Sequence, residues 1–191
     1  MILEGIVTTC NEDGTANISP MGPVVDEPMS RLTLRPYQTS TTYRNLKRTG
    51  VGVFHVTDDV LLFAQAIVGG IEPVPAMLPT GDPSRFIIAD ACRWYAFKVE
   101  TLDDSAERTH IEARVVERGV LREFVGFNRA RHAVIEAAIL ASRVHLLPAD
   151  EIAADMQRLK VLVQKTGDER EHQAFDLLQK YIAESSDGPI K

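Results

Sequence analysis

The side chains best suited to chemistry stand together in one stretch, Arg35-Pro36-Tyr37-Gln38-Thr39-Ser40-Thr41-Thr42-Tyr43-Arg44-Asn45-Leu46. Four hydroxyl residues run without a break from Thr39 to Thr42, and a short helix is expected at their end, with Tyr43 and Leu46 on one face. A helix start carries unpaired N–H groups and a partial positive charge, and neighbouring hydroxyls add donors, so the stretch reads as an anion site. The charge pattern agrees. The chain is acidic overall, at −6, yet residues 31 to 50 hold Arg31, Arg35, Arg44, Lys47 and Arg48 and no Asp or Glu. A plainer reading stands beside it, in which Ser40 or Thr41 caps a surface helix and the other hydroxyls are solvated. A second stretch, Thr15-Ala16-Asn17-Ile18-Ser19-Pro20-Met21-Gly22, ends a strand with small and polar residues and a proline. Its backbone can lie flat against a planar ligand, or it is simply a strand end.

Other chemistries find little support. The five histidines are scattered, with no HExxH and no Cys/His cluster, so no metal site is expected. Cys10 lies in an apolar strand and reads as buried and inert; no GxSxG is present. Asp58-Asp59 and Asp103-Asp104 fall in turns, where Asp is favoured for local hydrogen bonding. His132 and Glu136 are one helical turn apart, an ordinary surface pair. No GxGxxG or GxxxxGK[ST] appears. The acidic balance disfavours nucleic acid, and no apolar run approaches the ~20 residues of a membrane span. With two well-separated cysteines and no signal-like start, a reducing cytoplasm is the expectation.

The elements that must position the two stretches follow from periodicity. Ile2 to Cys10 and Thr15 to Ser19, around the turn Asn11-Glu12-Asp13-Gly14, predict a hairpin, which Pro20-Met21-Gly22-Pro23 is expected to break. Val24-Val25 and Arg31 to Arg35 continue a meander; Pro36 ends it, and Gly50 stops the short helix. Val51 to Val56, Trp94 to Leu102 and Arg108 to Arg118 predict further strands, while Leu61-Leu62-Phe63 fits strand or helix equally. Residues 69 to 92, punctuated by Gly and Pro, read as a long loop: a lid, a binding loop, a subunit contact or a surface insertion. From about Gly126 the period becomes helical, with three apolar stripes, a capping-box pattern at Asp168 and Glu171, and a frayed tail from Ser185 to Pro189. The expected class is α+β: a barrel of antiparallel strands over residues 1–118, followed by a helical part over 119–191.

Taken together, the Asn-x-Ser-Pro strand end at Asn17 to Pro20, the Thr/Ser segment leading to Asn45-Leu46, and Gly50-Val51-Gly52-Val53-Phe54-His55-Val56 resemble the FMN-binding split-barrel superfamily of pyridoxamine-phosphate oxidases and flavin reductases. Over nearly the whole chain the resemblance is closer to a branch from archaea and some bacteria that carries a C-terminal helical part like Phe127 to Ala138. The resemblance implies a split β-barrel with FMN held at the interface of a homodimer. It implies that Thr39, Ser40, Thr41 and Thr42 hold the 5′-phosphate, with Arg35, Tyr37 and Asn45 close by, and that Asn17, Ser19, Pro20 and Met21 line the isoalloxazine edge. The additional C-terminal phosphate clamp of the oxidases has no counterpart here, which speaks against pyridoxamine-phosphate oxidation. The activity implied is redox at the flavin on a small molecule; the branch's association with methanopterin-type carriers suggests a pterin or deazaflavin. Two rivals are a non-catalytic FMN carrier or sensor, and an interaction module on a barrel that has lost its flavin.

Overall fold

Strand β1 (Gly5–Cys10) is buried along its whole length, on both faces, and the first half of the molecule is built around it. It pairs antiparallel with β2 (Ala16–Met21) on one side and β5 (Val51–Val56) on the other. The computed structural model describes residues 1–186, as nine strands and five helices. With β3 (Val24–Val25), β4 (Arg31–Leu34), β8 (Arg93–Asp103) and β9 (His110–Val120), the sheet runs in the order β2-β1-β5-β8-β9-β4-β3. Its far edge returns to its start. The N–H of Leu3 donates to Pro23 O at 3.1 Å and that of Val25 to Met1 O at 2.8 Å, so β3 pairs with the residues just ahead of β1. This closes the curl and leaves β2 outside it as an edge. Pro20 does not break β2, as the sequence had suggested; it sits opposite Ile6 within the strand. A proline is tolerated there because β2 has a neighbour on one side only. Two bulges in the long β8–β9 hairpin, at Ala96/Phe97 and Val99/Thr101, help the sheet to coil.

Helix α1 (Thr41–Thr49) packs on the barrel core, contributing Tyr43 and Leu46 to the cluster that holds Val7, Leu34, Phe54 and Phe97. Burying a leucine of this kind is worth roughly 1.5–3 kcal/mol. The helix ends where Gly50 adopts φ 67°, a left-handed conformation only glycine takes without cost.

The 69–92 stretch is less of a loop than its composition suggests. Residues from 74 onward belong to the barrel unit. Met77–Leu78 (β6) and Ile87–Ile88 (β7) form a small sheet of their own. Ile87 packs with Val53 and Ala96, Thr8 Oγ1 donates to Phe86 O at 2.6 Å, and the Ile88 N–H donates to His55 Nε2 at 3.1 Å. The segment thus covers the outer face of β1 and β5, which is why neither strand shows an alternating pattern.

Residues Asp58–Pro73 and the chain from Val125 form a second compact unit. Leu61-Leu62-Phe63 proves helical, inside α2 (Val60–Val68), so the first part of the chain holds two helices rather than one. α2 packs with α3 (Arg129–Ala141), α4 (Ala149–Thr166) and α5 (Glu169–Ser186) around an alanine-rich seam that includes Ala64, Ala133, Ala137 and Ala174. Arg131 bridges two buried carboxylates, Asp58 at 3.2 Å and Glu171 at 2.9 Å. Burial pushes the Glu171 carboxyl up, but hydrogen bonds from Arg131 and the Asp168 N–H outweigh it and hold the pKa below its ordinary value. That Asp168 bond is the reciprocal arm of the expected capping box. Ser185 and Ser186 continue α5 rather than fraying; the remainder of the expected tail lies outside the described residues.

His55 supplies a pH test of the barrel. Its Nε2 accepts from Ile88, so Nδ1 carries the proton and donates to Ile6 O at 3.3 Å. Burial lowers its pKa from 6.5 to about 4. The unfolded chain therefore takes up this proton at higher pH than the folded one, and the stability present above pH 6.5 is lost as pH falls toward 4. We expect urea denaturation to show a loss of roughly 3 kcal/mol across that window. His55→Gln should be less stable at pH 7 but lack this component of the slope; an unchanged slope in the variant would assign the loss to other groups.

Candidate functional site

The start of α1 is set by its own sequence. Pro36 ends β4, and Ser40 is the N-cap: its Oγ accepts from the Tyr43 N–H at 3.2 Å and donates to Tyr37 O at 2.7 Å. Both capacities of Ser40 are thus spent on the helix start. The Arg44 N–H goes to Ser40 O, which leaves the N–H groups of Thr41 and Thr42 without acceptors among the described residues. Around them, Thr39 is exposed, Thr41 Oγ1 accepts from Arg44 at 3.2 Å, and Arg35 is exposed and forms no ion pair among the described residues. Donors and positive charge converge here, and neither Arg35 nor Arg44 is paired with a carboxylate among the described residues.

Behind this turn lies a buried amide–hydroxyl network. Thr9 Oγ1 accepts from Asn17 Nδ2 at 3.1 Å and from Asn45 Nδ2 at 3.0 Å. Asn17 Nδ2 also reaches Thr42 Oγ1 at 3.1 Å, and Asn45 Nδ2 reaches Asn11 Oδ1 at 2.9 Å. Two of the residues singled out from sequence, Asn17 and Asn45, therefore meet at Thr9, which the sequence did not single out, and a third, Thr42, joins them through Asn17. The amide protons of Asn17 and Asn45 are consumed inside the network. What Thr42 retains is its hydroxyl proton, since its oxygen is already an acceptor. Arg48 adds a further tie from α1 to the carbonyl of Cys10.

β2 carries the other predicted residues. Alternation along the strand places Asn17, Ser19 and Met21 on one face and Pro20 on the other. Ser19 Oγ donates to its neighbour's carbonyl at 3.4 Å, and Met21 packs against the barrel core.

The β8–β9 turn straps the segment from the opposite side, a feature without any local sequence signal. Gln38 Nε2 donates to Asp104 O and Ala106 O at 2.8 and 2.9 Å, and the Thr109 N–H and hydroxyl both donate to Pro36 O. Arg108 Nε donates to Arg35 O at 3.1 Å, with its guanidinium carbon 5.3 Å from the Tyr37 ring centroid. Asp104 accepts from Tyr43 Oη at 2.6 Å and from Lys47 Nζ at 2.7 Å. The Lys47 bond, with that from Tyr43, holds the Asp104 carboxyl below its ordinary value and raises the Lys47 ammonium.

Nothing in this region pairs an acid with a base for proton transfer. The Cys10 thiol is buried and donates to Asn11 O, and His55 is enclosed on the barrel's outer face. No group of His, Cys, Asp and Glu able to hold a metal ion occurs among the described residues, and no helix there is long and apolar enough to cross a membrane.

Asn45 is the sharpest probe of the network, because its removal leaves the buried Thr9 and the half-buried Asn11 acceptors short of a donor. Asn45→Ala should cost about 2–3 kcal/mol in urea denaturation, two hydrogen bonds plus the desolvated groups left behind. A loss below ~0.5 kcal/mol, the range of ordinary surface substitutions, would show that the network contributes nothing.

Comparison with known proteins agrees with the fold. Residues 3–122 match the N-terminal domain of the protein family of unknown function DUF447, and residues 128–180 match its C-terminal part. No curated protein matches the sequence. Among solved structures, an FMN-bound DUF447 protein from Methanosarcina mazei superposes with a TM-score of 0.82 over 94% of each chain, at 22% identity. An FMN-binding protein from Thermus thermophilus with bound 1-cyclohex-2-enone gives 0.53 over 62% of this chain and 70% of that one, at 12% identity. The styrene monooxygenase flavin reductase of Pseudomonas putida S12 gives 0.51 over 62% and 81%, at 13% identity. At such identities the likeness is one of fold, the split barrel. Since the two family matches cover the barrel and most of the helical part, the chain belongs to the DUF447 family.

Proposed function

We propose that this protein binds FMN in the barrel unit and works as a homodimeric flavin-dependent oxidoreductase on a small molecule. The observation that carries the reading is the first turn of α1, with two unpaired N–H groups, adjacent hydroxyls and arginines, and no acidic residue from 31 to 50. A phosphate of nearly two negative charges suits that set of donors. The fold likeness to an FMN-bound protein supports the choice of ligand.

On this reading the phosphate sits on the N–H groups of Thr41 and Thr42, with the Thr39 and Thr42 hydroxyls and Arg35 around it. Ser40 contributes by fixing the helix start, and Asn45 and Tyr37 by holding the turn in place. Asn17, Ser19, Pro20 and Met21 line the isoalloxazine edge along β2. Bound FMN would supply hydride or electron transfer, and the chain's own groups orient it and exclude water. The two buried, unbridged cysteines suit a reducing cytoplasm.

Calorimetry with FMN and riboflavin tests the site. Two or three charge-assisted hydrogen bonds at roughly 1.5–3 kcal/mol each should separate the ligands by at least ~100-fold in favour of FMN; equal affinities would remove the phosphate assignment. Thr42→Ala should weaken FMN by about 1–3 kcal/mol and leave flavin reduction at saturating FMN within about tenfold. Tight FMN binding without turnover by any nicotinamide donor would instead fit a carrier. Light scattering should give about twice 21.2 kDa; a flavin-loaded monomer would refute the dimer.

A further inference from the structure

We propose that Arg108 is a specificity-determining residue of the α1 anion site, selecting the phosphorylated flavin over the unphosphorylated one. The inference rests on the FMN reading above and adds a residue that neither the sequence stretch nor the fold likeness assigns.

Arg108 is 73 positions from Arg35 along the chain, yet the fold fixes it against the segment that leads into α1. The backbone is held on both sides. Tyr37 and Arg108 form an antiparallel bridge, the Gln38 N–H donates to Glu107 O at 3.1 Å, and the Thr109 N–H donates to Pro36 O at 3.0 Å. The side chain is held as well, by its Nε bond to Arg35 O and its position over Tyr37. These contacts use Nε and one face of the guanidinium. They leave both Nη groups, the fork that matches phosphate oxygens two at a time, without a partner among the described residues.

The acids nearest in sequence are not its counter-ions. Asp104 is taken by Tyr43 and Lys47, Asp103 accepts from the Ser105 N–H, and Glu107 forms no ion pair among the described residues. Other arginines of the barrel unit are mixed: Arg31 and Arg114 share Glu100, and Arg85 pairs with Asp82 and Glu117, whereas Arg118 donates only to Pro28 O among the described residues. Holding an exposed arginine in one rotamer costs side-chain entropy. A stack on tyrosine and one neutral hydrogen bond offset that only in part, whereas a phosphate would meet a guanidinium already oriented and not yet neutralised. With Arg35 and Arg44 likewise lacking carboxylate partners among the described residues, the turn into α1 gathers positive charge from three separate elements.

The test is calorimetric titration of FMN and of riboflavin into wild-type protein, Arg108→Gln and Arg108→Lys. Arg108→Gln should weaken FMN about 10- to 100-fold, the worth of one charge-assisted bond, and leave riboflavin within about twofold. Arg108→Lys should recover part of the loss, since it keeps the charge and loses the fork. The FMN affinity of the wild type should also fall more steeply with added salt than that of Arg108→Gln. Equal weakening of FMN and riboflavin would mean that Arg108 only braces Tyr37, and would overturn the proposal. So would a wild type that prefers FMN alongside an Arg108→Gln that keeps the full preference. A wild type binding both ligands equally would instead remove the α1 site itself, and the role of Arg108 with it.

Discussion

One buried hydroxyl holds the barrel half of this molecule in register. Thr9 Oγ1 takes an amide proton from Asn17 on β2 and another from Asn45 on α1, and Asn17 closes the loop through Thr42. Apolar burial of Tyr43 and Leu46 supplies most of the free energy that docks α1, but it is non-directional: a helix rotated or slid by part of a turn would bury nearly as much. The amide bonds are directional, and Thr9, Thr42 and Asn45 are buried where water cannot substitute. A misplaced α1 leaves several polar groups unsatisfied at about 1–3 kcal/mol each, enough to choose one docking over its neighbours. The orientation of the unpaired N–H groups at the helix start is a consequence.

What the sequence made legible was local. A cap at Ser40 or Thr41, Gly50 as stop and the basic segment that runs into α1 are written in consecutive residues, and the structure puts the cap on Ser40 and the stop on Gly50. The β1–β2 hairpin and the β8–β9 pair follow from turns and alternation. What failed to show was long-range or depended on two-sided burial. β1 has no alternation because residues 86–88 cover its outer face, and those residues sit in a stretch whose prolines and glycines suggested a loop. α2, with Val60-Leu61-Leu62-Phe63-Ala64, is apolar around most of its circumference, so its period is hidden. Thr9 and Asn45 are 36 positions apart, and Tyr43 and Asp104 are 61 apart. No spacing rule reaches such pairs; only the strand order brings them together.

The division of the chain follows the same logic. A boundary drawn where strands give way to helices in the sequence separates residues before and after 118. In the structure the chain leaves the barrel unit after Thr57, contributes α2 to the helical unit, and returns at Val74. α2 belongs there because its apolar surface is buried against α3 and α5, and because Asp58, at its start, is fixed by Arg131. A charge pair this buried repays little of its desolvation on its own. Its value is specificity: Arg131 accepts only an arrangement in which Asp58 and Glu171 both reach it, which fixes the starts of α2 and α5 relative to α3.

On the proposed reading, this construction separates anchoring from chemistry. The α1 turn offers donors and positive charge but no acid–base pair, so it suits the holding of a remote anionic group and not bond-breaking. Binding energy gained far from the reacting atoms is useful only if it is transmitted as position. The bonds show a route for it: Thr42, in the first turn of α1, receives its hydrogen bond from Asn17 on β2, and Asn17 and the α1 residue Asn45 are both tied to the same Thr9. On the proposed reading, a phosphate on α1 would be held in a fixed relation to the backbone of β2.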